Sequence, residues 1–322
     1  MQNIKNNYPL SKLTTLQIGG PAKKFVSVAS DEQLIGAIQY AKQNSMDFLV
    51  IGGGSNLLVN DDGVDCLVIK NEITGISSDH LRGETALSSG SHLGGVIKVK
   101  SGTPLQDLVD YTIEHGLSGL QKMTGIPGTV GGAIFGNAGA YGQTISDHLV
   151  EVSAFDGQKI ITLSKDQCDF NYRDSGFKKS KNTILEVTFQ LEKSDPKILA
   201  EEAKDVLSKR LVKYPLGIKC PGSFFKNIVA DTLPKEILDK IPPEKIVYGK
   251  LPAGSLLEEV GAKGQSLDGI EITNYHANLF VNKGDGSAKA FYDLAKKYSD
   301  LVKQKFGITL EPEVQLINLP PL

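Results

Sequence analysis

Apolar and polar positions along this chain switch between a helical and a strand period, and the switches mark its elements. Leu34, Ile35, Ile38 and Ala41 fall on one helical face, and Ser30 with Gln33 forms a capping-box opening for that helix. A continuous apolar run, Phe48-Leu49-Val50-Ile51, then stops at three glycines, which predicts a buried strand ended by a turn. Cys66–Ile69 predicts another, so residues 22 to 70 read strand, helix, strand, turn, strand. A second helix is signposted by Thr103 as cap, Pro104 at the first helical position and Gly116 as stop, with Leu105, Leu108, Val109 and Ile113 as its stripe. Leu149–Phe155 and Thr183–Leu191 read as strands. Asp195-Pro196 opens a long helix bearing Ile198, Leu199, Val206, Leu207 and Leu211, with a charge-rich outer face. The last helix runs from Ser287 to Phe306 and stops at Gly307, after which ITLEPEVQL alternates like a strand. A domain boundary is expected near 194, where a Gly-rich half gives way to Lys-Tyr-Pro, Cys-Pro-Gly and Ile-Pro-Pro turns. No repeat at solenoid period and no low-complexity tract is visible.

The 322 residues suffice for about two domains. A formal charge of −2, from 35 basic and 37 acidic residues, supplies no field that would draw nucleic acid or an anionic membrane. Cys66, Cys168 and Cys220 form no CxxC pair and cannot all pair with one another, which fits a reducing compartment. No apolar run approaches the roughly 18 residues of a membrane span, and MQNIKNNYPLSKL lacks the apolar stretch of a signal peptide. A cytoplasmic protein is expected.

Glycine is the excess. Residues 116–142, GLSGLQKMTGIPGTVGGAIFGNAGAYG, hold nine glycines in 27 positions, too many for an ordinary helix or strand interior. Two readings stay open: tight turns beneath a packed sheet, or a backbone wall against a flat or phosphorylated ligand. In the second, Asn137 would supply hydrogen bonds and Tyr141 would stack on the ligand or close the pocket. Gly52-Gly53-Gly54-Ser55-Asn56, directly after a strand, suits a concave anion site of consecutive N–H groups, as a pyrophosphate needs. Neither GxGxxG nor GxxxxGK[ST] occurs, so any nucleotide cofactor is held by neither a dinucleotide fingerprint nor a P-loop.

In order along the chain stand GGGSN, GIPGTVGGAIFGNAGAYG, NYRDSGF, PGSFFKN, AGSLLEEVGAKG, HANLFVN and LEPEV. With these blocks the chain resembles the UDP-N-acetylenolpyruvoylglucosamine reductases, flavoenzymes that make UDP-N-acetylmuramate for peptidoglycan, over residues 14 to 317. The resemblance implies an α+β fold. A two-part FAD-binding domain of the PCMH/vanillyl-alcohol-oxidase type would cover 1–193 (parts 1–70 and 71–193). A smaller α+β substrate-binding domain would cover 194–306, and a C-terminal strand, 307–322, would bring Glu313 to the active site. It further implies noncovalent FAD, NADPH as co-substrate, and a monomer acting on small molecules, with no nucleic-acid or membrane partner. Only about 30 residues separate Leu191 from Ser223, as in the family's shorter-loop type, which HANLFVN also matches.

By this resemblance the catalytic residues are Arg173, Ser223 and Glu313. Read unaided, each is ordinary: a solvent-facing arginine, a turn serine after Pro-Gly, and one of two surface acids in Glu311-Pro312-Glu313. Within the family reaction, hydride reaches the β-carbon of an enolpyruvyl ether, negative charge grows toward the carboxylate, and a proton reaches the α-carbon. An arginine can grip that carboxylate bidentately, and a hydroxyl against the carbon can donate. Glu313 would orient or relay near the carboxyl, leaving Glu311 structural. FAD contacts are implied at Gly52, Gly53, Gly54, Ser55, Asn56, Leu57, Gly125, Ile126, Pro127, Gly128, Gly131, Gly132, Asn137, Gly139, Ala140, Tyr141 and Val187. Substrate contacts are implied at Tyr172, Arg173, Lys226, Asn227 and His276. No metal is expected, since no second His, Cys or carboxylate offers ligand spacing to His276. Ile228 stands where the family usually has proline, and Leu16 where phenylalanine is commoner. GETALSSGSHLGG, residues 83–95, is expected as a surface loop.

Two other functions are compatible with an FAD-type fold. A flavin oxidase sharing the FAD domain would need no carbon-protonating serine, and PGSFFKN and LEPEV argue against it. A noncatalytic nucleotide-sugar binder would have no reason to keep Arg173, Ser223 and Glu313 together.

Overall fold

A computed structural model describes residues 3–78, 94–239 and 241–322; most of the expected loop at 83–95 lies outside them. The expected first helix is Asp31–Gln43, capped by Ser30, whose side chain accepts from the Gln33 N–H, while Gln33 Oε1 reaches back to the Ala29 N–H at 2.8 Å. Its buried face is Leu34, Ala37, Ile38 and Ala41, with Ile35 at the margin. The helix covers a sheet of order Lys5–Pro9, Pro21–Val28, Val64–Asn71, Phe48–Ile51, the last pair parallel from Phe48↔Leu67 to Ile51↔Lys70. Phe48–Ile51 is the strand the apolar run predicts.

A second sheet has the order Ile160–Ser164, Leu149–Phe155, Thr183–Gln190, Val96–Lys100, Ile76–Ser78, antiparallel throughout. Its central strand is buried at six of eight positions because helices Leu105–Glu114 and Val130–Phe135 join the same core. Helix Leu105–Glu114 starts one residue later than expected. Pro104 is its cap, and Thr103 instead ties to Gly75, accepting from its N–H at 3.1 Å. Gly116 ends it at φ +64°.

The long helix is Pro196–Lys213, but it buries only Leu199, Ala203 and Val206. Ile198, Leu207 and Leu211, expected on the apolar face, are exposed. The i, i+4, i+7 spacing of the buried trio leaves room for one narrow stripe.

The chain forms two compact units. The first comprises Met1–Asn6, Lys24–Gly53 and Cys66–Val212; the second Asn7–Lys23, Gly54–Asp65 and Lys213–Leu322. The break therefore falls at the end of the long helix rather than near 194, because Leu199, Ala203 and Val206 bury within the first unit and Gln121 Nε2 donates to Glu202 at 2.8 Å. Residues 7–23 and 54–65 are likewise outside the expected first domain.

In the second unit, Ser266–Leu267, Ile270–Ile272 and Phe280–Asn282 form an antiparallel sheet. Helix Ala288–Phe306 belongs to the same core, capped by Ser287 and closed by Gly307 at φ +71°. The expected terminal strand shrinks to Gln315–Ile317, parallel to Leu57–Val59. Phe224, Phe225, Phe280 and Phe291 form the aromatic centre, with Phe224 4.7 Å from Phe225 and 5.0 Å from Phe291. Leu16 is fully buried in this core, and Ile228 lies in a two-residue ladder opposite Leu251.

Candidate active site

In the first unit the two glycine-rich segments meet backbone to backbone. A Cβ on Gly53 would lie 2.6 Å from Gly128 Cα, and one on Gly131 2.9 Å from the Ser101 carbonyl oxygen. Gly131 and Gly132 nevertheless sit inside a six-residue helix, against the expectation that this stretch avoids helix interiors; close packing on Ser101 requires the glycine at 131, while a Cβ on Gly132 would meet only Thr129 Oγ1 at 3.6 Å. Thr129 caps this helix, accepting from the Gly132 N–H at 3.3 Å. Lys70 donates to the Gly52 carbonyl, and burial lowers its pKa.

The glycine block is stitched to NYRDSGF by three hydrogen bonds. Asn137 Nδ2 donates to the Asn171 carbonyl at 2.9 Å, Arg173 Nη2 to Gly139 at 2.8 Å, and Ser175 Oγ to Phe135 at 2.7 Å. The Arg173 guanidinium also lies over the Tyr172 ring, 5.6 Å from its centroid, and Lys178 donates to the Arg173 carbonyl at 2.6 Å. Asn137, Tyr141 and Arg173 all have left-handed backbone, φ +42°, +52° and +55°. Such conformations cost energy in non-glycine residues and persist where surrounding contacts enforce them, often at functional sites. Asn137 is 5 % exposed, and its Oδ1 is buried without a hydrogen-bond partner among the described residues. The Asn137 Oδ1 is a buried acceptor that suits an N–H or O–H donor of a cofactor such as FAD. Of the remaining expected contacts here, Ile126 packs partly into the core. Gly125 turns at φ +75°. Pro127 and Ala140 belong to the same block. Val187 is a correction: its side chain is fully buried on the central strand, opposite Val152 and Val99, and presents nothing to a ligand.

The second unit holds Gly54, Ser55, Asn56 and Leu57 of the expected cofactor loop, together with Ser223 and Glu313. Gly54 turns at φ +64° against the Leu13 carbonyl. Asn56 Nδ2 donates to the Glu313 carbonyl at 3.1 Å, and the Asn56 carbonyl accepts from the Gln315 N–H at 3.0 Å, so GGGSN and LEPEV are joined. Ser223 to Phe225 run extended between two neighbours. Ser223 bridges to Leu279 and Phe225 to Pro312, and the Glu313 N–H donates to the Phe224 carbonyl at 2.7 Å. Glu311 and Glu313 thus precede the terminal strand rather than lie on it. The Glu311 side chain is largely exposed and pairs with Lys226 at 3.2 Å.

Ser223 Oγ has two side-chain neighbours the sequence reading passed over. Lys213 Nζ donates to it at 3.2 Å, and the Tyr214 hydroxyl lies 3.0 Å away. Both come from the Lys-Tyr-Pro stretch, read only as a turn; no spacing rule announces that the chain folds back ten residues on. Asn278 was also missed. Its Oδ1 accepts from the Phe225 N–H and its Nδ2 donates to the Phe225 carbonyl, both at 2.8 Å. Asn227, expected at substrate, has its Oδ1 3.2 Å from the Ala253 N–H and opens a helix. His276 Nδ1 accepts from the Asn278 N–H at 3.1 Å, and burial, with Lys213 nearby, pushes its pKa down to about 4. It is neutral at physiological pH, with its hydrogen on Nε2. Among the described residues no group of three His, Cys, Asp or Glu side chains could hold a metal ion.

A family described as FAD binding domain matches residues 22–162, which include both glycine-rich segments, so the α+β fold carries an FAD-binding domain. The C-terminal domain of UDP-N-acetylenolpyruvoylglucosamine reductase matches residues 214–317. The reductase of that name from Solibacter usitatus is 36% identical over 316 residues, covering 98% of this chain and 97% of the relative. The one from Chlamydia muridarum is 32% identical over 320 residues, covering 99% and 96%. The crystal structure of the Thermus caldophilus reductase superposes with a TM-score of 0.73 at 28% identity, covering 98% and 99%. The chain belongs to the UDP-N-acetylenolpyruvoylglucosamine reductase family, enzymes of peptidoglycan precursor synthesis.

Proposed function

We propose that this enzyme reduces UDP-N-acetylglucosamine enolpyruvate to UDP-N-acetylmuramate, with NADPH as the electron source. FAD, when bound, supplies from N5 the hydride that goes to the enolpyruvyl β-carbon. Negative charge then grows toward the substrate carboxylate, and the chain must hold it and deliver one proton. Arg173 grips the carboxylate; its guanidinium is set in place by Gly139 and Tyr172. Glu313 orients that end of the substrate. Ser223 gives its proton to the α-carbon. Lys226 meets the diphosphate, Tyr172 stands with Arg173 at the substrate carboxylate, and His276 contacts the substrate from its own unit. The enzyme works as a cytoplasmic monomer, and its near-neutral charge supports the absence of nucleic-acid or anionic-membrane partners.

One observation carries this reading: Ser223 Oγ has an ammonium and a phenol within hydrogen-bond reach. A serine alone is a poor acid. With a cation beside it, the alkoxide left behind is stabilised where it forms. In stopped flow, Ser223→Ala leaves NADPH-driven loss of flavin absorbance intact and slows its return on substrate addition by about 100-fold or more. Equal slowing of both phases, or of neither, rejects the donor role.

A further inference from the structure

We propose that Tyr214 is a positioning residue: its hydroxyl donates to Ser223 Oγ, aims the Ser223 proton outward, and replaces that proton after transfer. The proposal rests on Ser223 being the donor to carbon. A serine oxygen has one hydrogen and two lone pairs. The Lys213 ammonium can only donate, so it occupies one lone pair, at 3.2 Å. If Ser223 donated to Tyr214, its hydrogen would be turned away from any substrate. With the Tyr214 hydroxyl, 3.0 Å off, donating to the second lone pair, the O–H has one direction left.

The phenol is itself held in place. Tyr214 precedes Pro215, which confines its backbone to extended conformations. Its side chain packs against the buried cluster of Cys220, Leu279 and Val281. Leu279 also bridges to Ser223, so ring and serine share one support. Tyr214 is only partly buried, so solvent can reach it.

The proton balance closes. The Ser223 O–H bond breaks as a C–H bond forms at the α-carbon, leaving an alkoxide beside the Lys213 ammonium. The Tyr214 O–H proton passes to that alkoxide, downhill because a phenol is far more acidic than an alcohol. The phenolate then takes a proton from water.

The test is a double-mutant cycle on the flavin-loaded enzyme, using Tyr214→Phe, Ser223→Ala and the pair. Tyr214→Phe is expected to slow flavin reoxidation by UDP-N-acetylglucosamine enolpyruvate about 10- to 100-fold, the range for one lost hydrogen bond to a developing charge. Flavin content, melting temperature, NADPH-driven reduction and calorimetric affinity for UDP-N-acetylmuramate stay unchanged. Placed on Ser223→Ala, Tyr214→Phe has no further effect, because it acts through the missing oxygen. An unchanged reoxidation rate in Tyr214→Phe, or equal slowing with and without Ser223, overturns the proposal. A Ser223→Ala enzyme as fast as the parent overturns the donor reading itself, a result distinguishable from the other two.

Discussion

Replacing Asn278 with alanine tests whether the serine segment is held as its geometry says. Asn278 is 2 % exposed and Phe225, whose N–H and carbonyl it satisfies, 1 %. Truncation leaves both backbone groups buried where water cannot replace the amide. Each orphan costs about 1–3 kcal/mol, so a total near 3 kcal/mol is a conservative expectation. Melting entropy of about 2.1 cal/mol/K per residue gives roughly 0.7 kcal/mol per degree for 322 residues. Scanning calorimetry of the holoenzyme should therefore show a melting temperature about 4 °C lower. Asn278→Asp keeps the acceptor for the Phe225 N–H but sets a second acceptor against the Phe225 carbonyl, so it is destabilised as well. A fall under about 1 °C in the alanine variant would refute the argument, since it would mean that both groups find other partners.

Other outcomes follow from single contacts. Gly53→Ala puts a methyl 2.6 Å from Gly128 Cα, with backbone on every near side, so apoprotein titrated with FAD should bind about tenfold more weakly; unchanged affinity refutes the backbone contact. Glu313→Gln should cut turnover far more than Glu311→Gln, whose side chain is largely exposed; comparable losses would mean the wrong acid was chosen. His276 titrates near 4 when folded and near 6.5 when unfolded, so the unfolded chain binds more protons between those values. Stability should fall as pH drops through that window, and His276→Gln should lose less of it in melting scans from pH 6.5 to 4.5. Parallel curves for the two proteins would rule that linkage out.

What could be read in advance was local. The strand at Phe48–Ile51 and the caps Ser30, Ser287 and Gly307 lie where the pattern puts them, because a turn or a cap is decided by a few adjacent residues. The exposed face of Pro196–Lys213 was misjudged because leucine and isoleucine favour a helix whether or not a partner covers them. Strands Val96–Lys100 and Ile160–Ser164 escaped, being short and half polar. For the site, the glycine blocks stand out by composition, and the family blocks offer Arg173, Ser223 and Glu313 as candidates. Lys213, Tyr214 and Asn278 do not stand out, since their roles exist only once the chain has folded back on Ser223 and Phe225.

The pairing of Leu57–Val59 with Gln315–Ile317 has a bearing on how the protein is made. Synthesis runs from the N-terminus, and early segments ordinarily settle as they emerge. Here Leu57–Val59 is translated long before its partner strand, Gln315–Ile317, which follows after nearly the whole of both units. The second unit therefore cannot finish assembling until Gln315–Ile317 has been made, and a nascent chain stalled short of Gln315 carries an orphaned edge that invites wrong pairings. Deleting Gln315–Ile317 should harm yield more than the loss of three residues suggests.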